Sequence, residues 1–395
     1  MDGTHPKDAE GKLTPRNSIR LIAAVENTGS ALPRAPREGE WQKVIKFLNG
    51  SLRPGLQWSI ADEYPTSLSR AQSHNMRIIT EGTAEAEEII AHAVFKPIIL
   101  KTPLGVFKIA GIGSVVTSDK HRNQGHSTRI IESCLAAAKD ADCDFAILWT
   151  DLYEFYRRMG FELASSEVTV VIDRDVAPPT NYKFNDSNRI SPDAVLRVFN
   201  QHSVSSHRTL EDIRAMLAIP NTRVATAWDP SGKLAAYAIE GKGADLDGYV
   251  HEWGGSTSAI MALLTHLRTT QKRDLRLIAP AHASNLVSRL IEAGCTKHSG
   301  FLGMIKILKM ESMFAKIQRH ARSLGVHDLV FEERDGKTYF GRGLHVYSTD
   351  SNVDLLRLFF GPEKPSAIHA FDPITAETFD RILPIPLWVW GWDSV

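Results

Sequence analysis

The chain has 395 residues, a length typical of two or three domains, and 43% of its residues are hydrophobic, which is enough for substantial cores. Lysine plus arginine and aspartate plus glutamate number 46 each, so the formal net charge is zero. This balance argues against a nucleic-acid-binding or membrane-binding protein, because either would need a basic excess.

Cysteine and apolar patterns indicate the compartment. The three cysteines, Cys134, Cys143 and Cys295, include no Cys-x-x-Cys pair, which is typical of reduced, buried thiols. The polar N-terminus lacks the apolar segment of a secretory signal, and no apolar run reaches the roughly 18 residues of a membrane helix. We therefore expect a cytoplasmic protein. Its histidines show no metal-ligand spacing, so no metal site is predicted.

The first half of the chain alternates between helical and strand patterns. In chain order, the sequence predicts a disordered tail at 1–16, a strand at 18–25, a helix at 41–48, three strands between 76 and 117, a helix at 125–140, a strand at 145–149, a short helix at 152–159 and a strand at 168–172. This alternation predicts an α/β (α+β) fold, with a mixed sheet flanked by helices.

A polar segment with two prolines at 175–188 is a predicted linker, after which a second cycle of the same order begins. An amphipathic helix at 310–324 opens the last part of the chain, whose end carries three tryptophans that are expected to form a core cluster. We expect domains at 17–174, 175–307 and 308–395, after the tail.

One segment has the pattern of a phosphate site. It comprises Val115, Val116 and Thr117 at the end of a predicted strand, and Arg122, Asn123, Gln124, Gly125, His126 and Ser127 leading into a helix. A helix start offers up to four unpaired N–H groups and about half a positive charge, and a glycine there lets phosphate approach the backbone. Arg122 adds charge, whereas His126 is expected to face solvent. An ordinary capped helix after a strand is the alternative interpretation.

Other phosphate-binding sequences do not fit this segment. A Walker loop would need Gly-Lys-Ser/Thr, which is absent here. The pair Gly111 and Gly113 lies within a predicted strand and lacks the third glycine of a dinucleotide-binding sequence.

A second segment, Phe155-Tyr156-Arg157-Arg158-Met159-Gly160-Phe161, follows roughly thirty residues downstream. Together with Arg-x-x-Gly-x-small at 122–127, it resembles the acyl-CoA-binding core of the GNAT N-acetyltransferase superfamily over residues 75–172. Ser127 stands where that superfamily usually has Gly or Ala, which should leave the N–H available. The whole layout resembles the Eis-like (enhanced intracellular survival) branch, with two tandem GNAT-like mixed sheets and a C-terminal α+β domain similar to sterol carrier proteins.

The resemblance implies that acetyl-CoA donates an acetyl group to a small-molecule amine or a protein lysine, and it suggests a homo-oligomer. It implies Tyr156 as the general acid, with Tyr153 as a substitute on the same helix and packing as the non-catalytic alternative. A backbone N–H at 115–117 is expected to stabilise the thioester oxygen. In the Eis-like branch the C-terminal carboxylate reaches the active site, which makes Val395 a candidate catalytic residue. No base is marked by spacing.

Two other functions stay open: transfer of a longer acyl chain, and a non-catalytic acyl-CoA sensor or scaffold. The middle domain lacks Arg-x-x-Gly-x-Ala and carries Glu252 before its helix at 258–269, where a carboxylate would disfavour pyrophosphate. We therefore expect only the N-terminal domain to bind the cosubstrate.

Overall fold

The computed structural model describes residues 32–83 and 86–395. The predicted tail at 1–16 and the predicted strand at 18–25 lie outside the described residues. The helices are α1 (Trp41–Leu52), α2 (Ile60–Glu63), α3 (Pro65–Leu68), α4 (His126–Asp140), α5 (Tyr153–Arg157), α6 (Pro192–Phe199), α7 (Leu210–Leu217), α8 (Thr257–Gln271), α9 (Ser284–Glu292), α10 (Met310–Ser323), α11 (Asn352–Phe360), α12 (Pro365–Ile368) and α13 (Pro373–Ile382).

The strands are β1 (Met76–Glu81), β2 (Glu88–Thr102), β3 (Gly105–Thr117), β4 (Phe145–Leu148), β5 (Glu162–Ala164), β6 (Glu167–Ile172), β7 (Lys183–Asp186), β8 (Ser205–Ser206), β9 (Arg223–Trp228), β10 (Leu234–Lys242), β11 (Asp245–Gly255), β12 (Leu275–Pro280), β13 (Thr296–Gly300), β14 (Gly303–Ile307), β15 (Leu329–Arg334), β16 (Lys337–Arg342) and β17 (His345–Thr349). Within the described ranges, no helix combines the length and apolar composition that crossing a membrane would need.

The first sheet has seven strands in the order β1-β2-β3-β4-β14-β5, with β8 paired to the end of β2. Strands β3 and β4 run parallel, and α4 connects them. Helix α4 packs on β1, β2 and β3 because its buried residues, among them Ile130, Ile131 and Cys134, recur at helical spacing. The β3-α4-β4 unit contains the segment predicted to bind phosphate.

The second sheet also has seven strands, in the order β13-β6-β12-β11-β10-β9-β7. Its strands β11 and β12 run parallel and are connected by α8, which repeats the β3-α4-β4 arrangement of the first sheet. Strands β15, β16 and β17 form a third, antiparallel sheet, on which α10 and α13 pack. The predicted fold class, mixed sheets flanked by helices with a smaller C-terminal α+β part, is confirmed.

The two large sheets exchange strands. β14 lies between β4 and β5 in the first sheet, although it belongs to the predicted domain at 175–307. Conversely, β6 lies between β12 and β13 in the second sheet, although it precedes the predicted boundary at 174. The predicted domain limits stay predictions, and the exchange means that neither sheet is formed by one of those segments alone.

The last residues of the chain leave the third sheet and pass between the other two. Trp388, Trp390 and Trp392 are all buried, as the sequence predicted. The indole N–H of Trp390 donates to the carbonyl of Val204 (3.1 Å), and the ring of Trp392 packs into the helical side of the second sheet. These contacts bring the C-terminus of the chain to β3.

Candidate active site

The site begins where β3 and β4 separate. Their parallel pairing ends at Gly111 opposite Ile147, whereas β3 continues to Thr117. A bulge follows in β3: Ser114 adopts a φ of 48°, and the pairing with β2 shifts at this point. Burial lowers the pKa of His92 to about 4, so its neutral imidazole donates from Nδ1 to the Ser114 carbonyl (2.9 Å). The backbone of residues 115–117 therefore borders an open cleft.

The start of α4 forms one wall of that cleft. Gly125 is its N-cap residue, with a φ of 77° that favours glycine, and no side chain caps the first turn. Ser127 and Thr117 join the helix to the strand through their hydroxyl groups, which lie 2.9 Å apart. The unpaired N–H groups and the helix dipole thus make this turn suitable for an anion.

The cleft has a volume of about 580 Å³ and collects most of the predicted residues. Eight of the nine predicted cosubstrate-binding residues line it: Val115, Val116, Thr117, Arg122, Asn123, Gly125, His126 and Ser127. Gln124 is the exception; its side chain lies against His126 (Oε1 to Nε2, 3.3 Å). Sequence reasoning missed Ser51 and Leu52, which reach the cleft from α1 and carry no local signal of their own.

Two charged or titratable residues of the loop differ in exposure. The Arg122 side chain is 66% exposed and pairs with Asp119 (2.7 Å), so it stands at the rim with room to turn towards a phosphate. His126, which was expected to face solvent, is instead only 3% exposed, and that expectation was wrong. As the first residue of α4 it packs into the cleft wall, and burial lowers its pKa, which favours the neutral ring.

Tyr156 lines the same cleft from α5. Phe155 and Phe161 hold its ring in edge contacts, with centroids 4.9 Å and 5.9 Å away. Burial raises its pKa to about 12, so the hydroxyl stays protonated and able to donate at neutral pH. Tyr153, the alternative on this helix, is 40% exposed and is absent from the residues that line the cleft.

Val395 packs against β3, the strand that borders the cleft, beside Gly111 and Gly113. A Cβ built on Gly113 would be 2.5 Å from the carboxyl carbon of Val395, and a Cβ on Gly111 would be 2.8 Å from its side chain. Two glycines therefore leave the space that the terminal residue occupies. The terminal carboxyl group thus lies two residues before Val115 along β3.

A second pocket, of about 350 Å³, has Val395 in its lining. Its lining includes the aromatic residues Tyr64, Trp149 and Trp388 and the carboxylates of Glu167 and Asp245. Burial raises the pKa of Glu167 to about 7, and no ion pair with a described residue offsets that burial. Sequence spacing gave no signal for this pocket, because its residues come from seven separate segments.

Over residues 32–83 and 86–395, no three His, Cys, Asp or Glu side chains form a group that could hold a metal ion.

A family comparison covers the part of the chain that holds the cleft. Residues 33–164 match the model of the acetyltransferase (GNAT) domain. The match spans β3, α4 and Tyr156, and it supports an acyltransferase activity in general terms. It ends before β6, and no curated protein sequence matches the chain.

Solved structures of the same fold extend over most of the chain. A probable N-acyltransferase from Enterococcus faecalis V583 is 14% identical, with a TM-score of 0.61, and the match covers 90% of this chain and 98% of that one. A GCN5-related N-acetyltransferase from Anabaena variabilis is 13% identical, with a TM-score of 0.62 and coverage of 89% and 97%. Eis1 from Mycobacterium abscessus is 15% identical, with a TM-score of 0.57 and coverage of 91% and 98%. At these identities the likeness shows the fold alone.

Proposed function

We propose that this chain is an N-acetyltransferase that moves an acetyl group from acetyl-CoA to a primary amine by direct attack on the thioester. The observation that carries the proposal is the uncapped start of α4 beside the bulged end of β3, with Tyr156 in the same cleft. Such a helix start suits the pyrophosphate of a coenzyme A molecule, and Arg122 at the rim adds a positive charge.

The residues of β3 suit the acyl end of the cosubstrate. Among the described residues, the parallel pairing of β3 with β4 ends at Gly111, and residues 115–117 line the cleft beyond it. An N–H group of this stretch would stabilise the negative charge that develops on the thioester oxygen.

Tyr156 would donate a hydrogen bond to the departing thiolate. With its pKa at about 12 and a thiol near 8.5, full proton transfer is uphill by about 3.5 units, or about 5 kcal/mol. That cost fits within the barrier of about 15–17 kcal/mol that corresponds to turnover at 1–100 per second. Burial therefore favours hydrogen bonding over early proton transfer, and Tyr156 remains the acid that we propose.

The acceptor amine would enter through the pocket beside Val395. An amine near pKa 10.4 must lose a proton before it attacks, and carboxylates of Val395 and Glu167 border this pocket. An ordinary terminal carboxyl has a pKa of about 3.5, so proton transfer to it is uphill by about 7 units. Proton transfer from the amine to Glu167, whose pKa is about 7, is uphill by only about half as much. We infer that Glu167 accepts the proton while the Val395 carboxylate orients the amine.

The middle domain is not expected to bind a second cosubstrate, but the reason differs from the sequence argument. Glu252 is buried in an ion pair with Arg208, so its charge is already balanced. Unlike α4, helix α8 has a side-chain N-cap: the hydroxyl of Ser256 accepts a hydrogen bond from the N–H of Ala259 (3.3 Å). That first turn is therefore less open to an anion than the first turn of α4.

The test is release of free coenzyme A from acetyl-CoA in the presence of a panel of small-molecule amines and lysine peptides, with the product identified by mass. We expect acetylated amine in proportion to the coenzyme A released. No heat and no melting shift with coenzyme A would remove the whole proposal. Binding without turnover would indicate an acyl-CoA sensor, and turnover with longer acyl chains only would indicate a different acyltransferase.

A further inference from the structure

Buried charges surround the last residues of the chain. Asp393 accepts from Arg208 (2.7 Å) and from the hydroxyl of Ser206 (2.5 Å). The same guanidinium group binds both oxygens of Glu252. Because Arg208 and Glu252 are themselves almost completely buried, this cluster fixes Asp393 at one place between the two large sheets.

Lys242, at the end of β10, holds the residues on either side of Asp393. Its ammonium group donates to the carbonyl of Gly391 (3.0 Å) and to the carbonyl and hydroxyl of Ser394 (2.7 Å and 3.0 Å). These are three acceptors for three N–H groups, and all of them belong to the last residues of the chain, 388–395, called the tail from here on. The amine also lies 4.4 Å from the ring centre of Tyr64. Lys242 thus contacts the residue directly before the terminal carboxylate.

A third cation comes from the first sheet. Lys96 on β2 donates to the backbone carbonyl of Asp393 (3.1 Å) and lies 3.6 Å from its carboxylate. The tail is therefore held by side chains from both large sheets. A general role in packing would not require that so many charged groups converge on main-chain carbonyls next to the terminus.

Opposite charges offset one another in this cluster. Lys96, Arg208 and Lys242 are the buried bases of this cluster, and Glu252 and Asp393 are its buried carboxylates. Buried charge is costly unless it is balanced, and bases and carboxylates here come from both large sheets and from the end of the chain. Burial lowers the pKa of Lys242 to about 7, and the carboxylates of Asp393, Asp245 and Glu252 oppose that shift.

We propose that Lys242 is a positioning residue, which fixes the terminal carboxylate of Val395 over Gly113 while Arg208 and Asp393 set the register of the tail. Its effect on catalysis rests on the proposed function, but its effect on the position of the tail does not. Lys242→Met removes the three hydrogen bonds and keeps an apolar side chain of similar length. Lys233→Met, in the exposed turn before β10, is the matched control because it removes a lysine that has no contact with the tail.

Carboxypeptidase provides a readout that is independent of activity. The measured quantity is the rate at which Val395 is released from the folded chain, divided by the rate for a synthetic peptide of residues 386–395. We expect Lys242→Met to raise this ratio about tenfold or more, since the hydrogen bonds lost exceed the 1.4 kcal/mol that corresponds to one factor of ten. Lys233→Met should leave it unchanged. Equal protection of Val395 in Lys242→Met and in the unmodified chain would overturn the proposal.

Kinetics separate positioning from general stability. We expect Lys242→Met to lower kcat roughly a hundredfold, as when a group that orients the substrate is displaced by about 1 Å, while the KM for acetyl-CoA stays unchanged. If the unmodified chain shows no acetyl transfer, the proposed function fails, and the release ratio still decides the position of the tail.

A second variant covers the case in which Lys242→Met does not fold. Ser394→Ala removes one acceptor of Lys242 without leaving a buried charge unpaired, and its release ratio is measured against a peptide with the same substitution. A ratio several times that of the unmodified chain is expected, and an unchanged ratio overturns the proposal.

Discussion

The carboxyl carbon of Val395 lies so close to Gly113 that a Cβ on the glycine would be 2.5 Å from it. Real side chains essentially never approach a Cβ this closely, so the glycine and the terminal residue must have matched positions. This contact joins the last residue of the chain to the strand that borders the predicted thioester site. It makes the position of the terminus testable through changes at either residue.

Gly113→Ala should displace the terminal carboxylate. The methyl group would overlap it, so we expect kcat to fall about a hundredfold, and overpacking should lower the free energy of unfolding by about 1–3 kcal/mol. Steady-state turnover and thermal melting measure the two effects. Gly300→Ala, also in a strand but with open space around its Cβ, should change neither. Unchanged turnover in Gly113→Ala would show that catalysis does not need the Val395 carboxylate at this position.

Adding one glycine after Val395 should abolish activity while coenzyme A binding is kept. The extension leaves every side chain of the tail in place and moves only the charged group, by about 3.3–3.6 Å. Turnover and calorimetry with coenzyme A check the two halves of this expectation. Unchanged turnover in the extended chain would rule out a role for the terminal carboxylate.

Local sequence signals predicted one part of this site and could not predict the other. The loop before α4 and Tyr156 are encoded in short stretches, where glycine, small residues and aromatic spacing have direct structural meaning. The pocket that contains Glu167 requires β6 to lie in the second sheet, a strand exchange that no periodicity reveals. Likewise, the sequence around Lys242 indicates only a strand, and its hydrogen bond to Ser394 in the C-terminal tail is visible only in the structure.

The same limit explains the error at His126. Its position in a polar loop suggested exposure, but the first turn of α4 rotates its ring into the cleft wall, where it is 3% exposed. Alternation and composition fixed the type of fold, since each element carries its own pattern. Contacts between segments hundreds of residues apart, such as Gly113 with Val395, depend on the packing of both sheets and leave no mark on either segment.

Tyr156→Phe should lower kcat and leave the affinity for coenzyme A nearly unchanged. The ring and its contacts with Phe155 and Phe161 are kept, so only the hydrogen-bond donor is lost. We expect a loss of about 10²–10⁴-fold, the range for a general acid. Tyr153→Phe, on the exposed face of the same helix, is the control and should keep full turnover. Full activity of Tyr156→Phe would show that a group other than Tyr156 donates to the departing thiolate.

Calorimetry should find one equivalent of coenzyme A per chain, bound at the start of α4. Gly125→Ala should weaken it about tenfold, because the φ of 77° costs a non-glycine residue about 1–2 kcal/mol and the start of α4 would relax away from the conformation that suits the anion. Gly232→Ala has nearly the same φ, 81°, and equally open surroundings in a remote turn. It should carry the same backbone strain with no loss of affinity. Two equivalents per chain would contradict the single site.

Glu167 should make the protein less stable as the pH rises. Its pKa is about 7 in the folded chain and 4.5 as an ordinary glutamate, so between these values the folded state binds more protons than the unfolded state. The free energy of unfolding should therefore fall from pH 4.5 to pH 7, by at most about 3 kcal/mol from this group. Glu167→Gln removes the titration, so subtracting its pH profile isolates the contribution.

Binding of a cationic amine beside Glu167 should lower the raised pKa of this carboxyl part of the way towards its ordinary value. A positive charge in the pocket stabilises the carboxylate and lowers its pKa, so acceptor binding near pH 7 should release protons from Glu167. The release appears as a dependence of the binding heat on the ionisation enthalpy of the buffer. Glu167→Gln should lose that dependence and, if Glu167 is the base, should also lose the rise of kcat/KM near pH 7. A variant that keeps both would leave proton removal to a group outside this pocket.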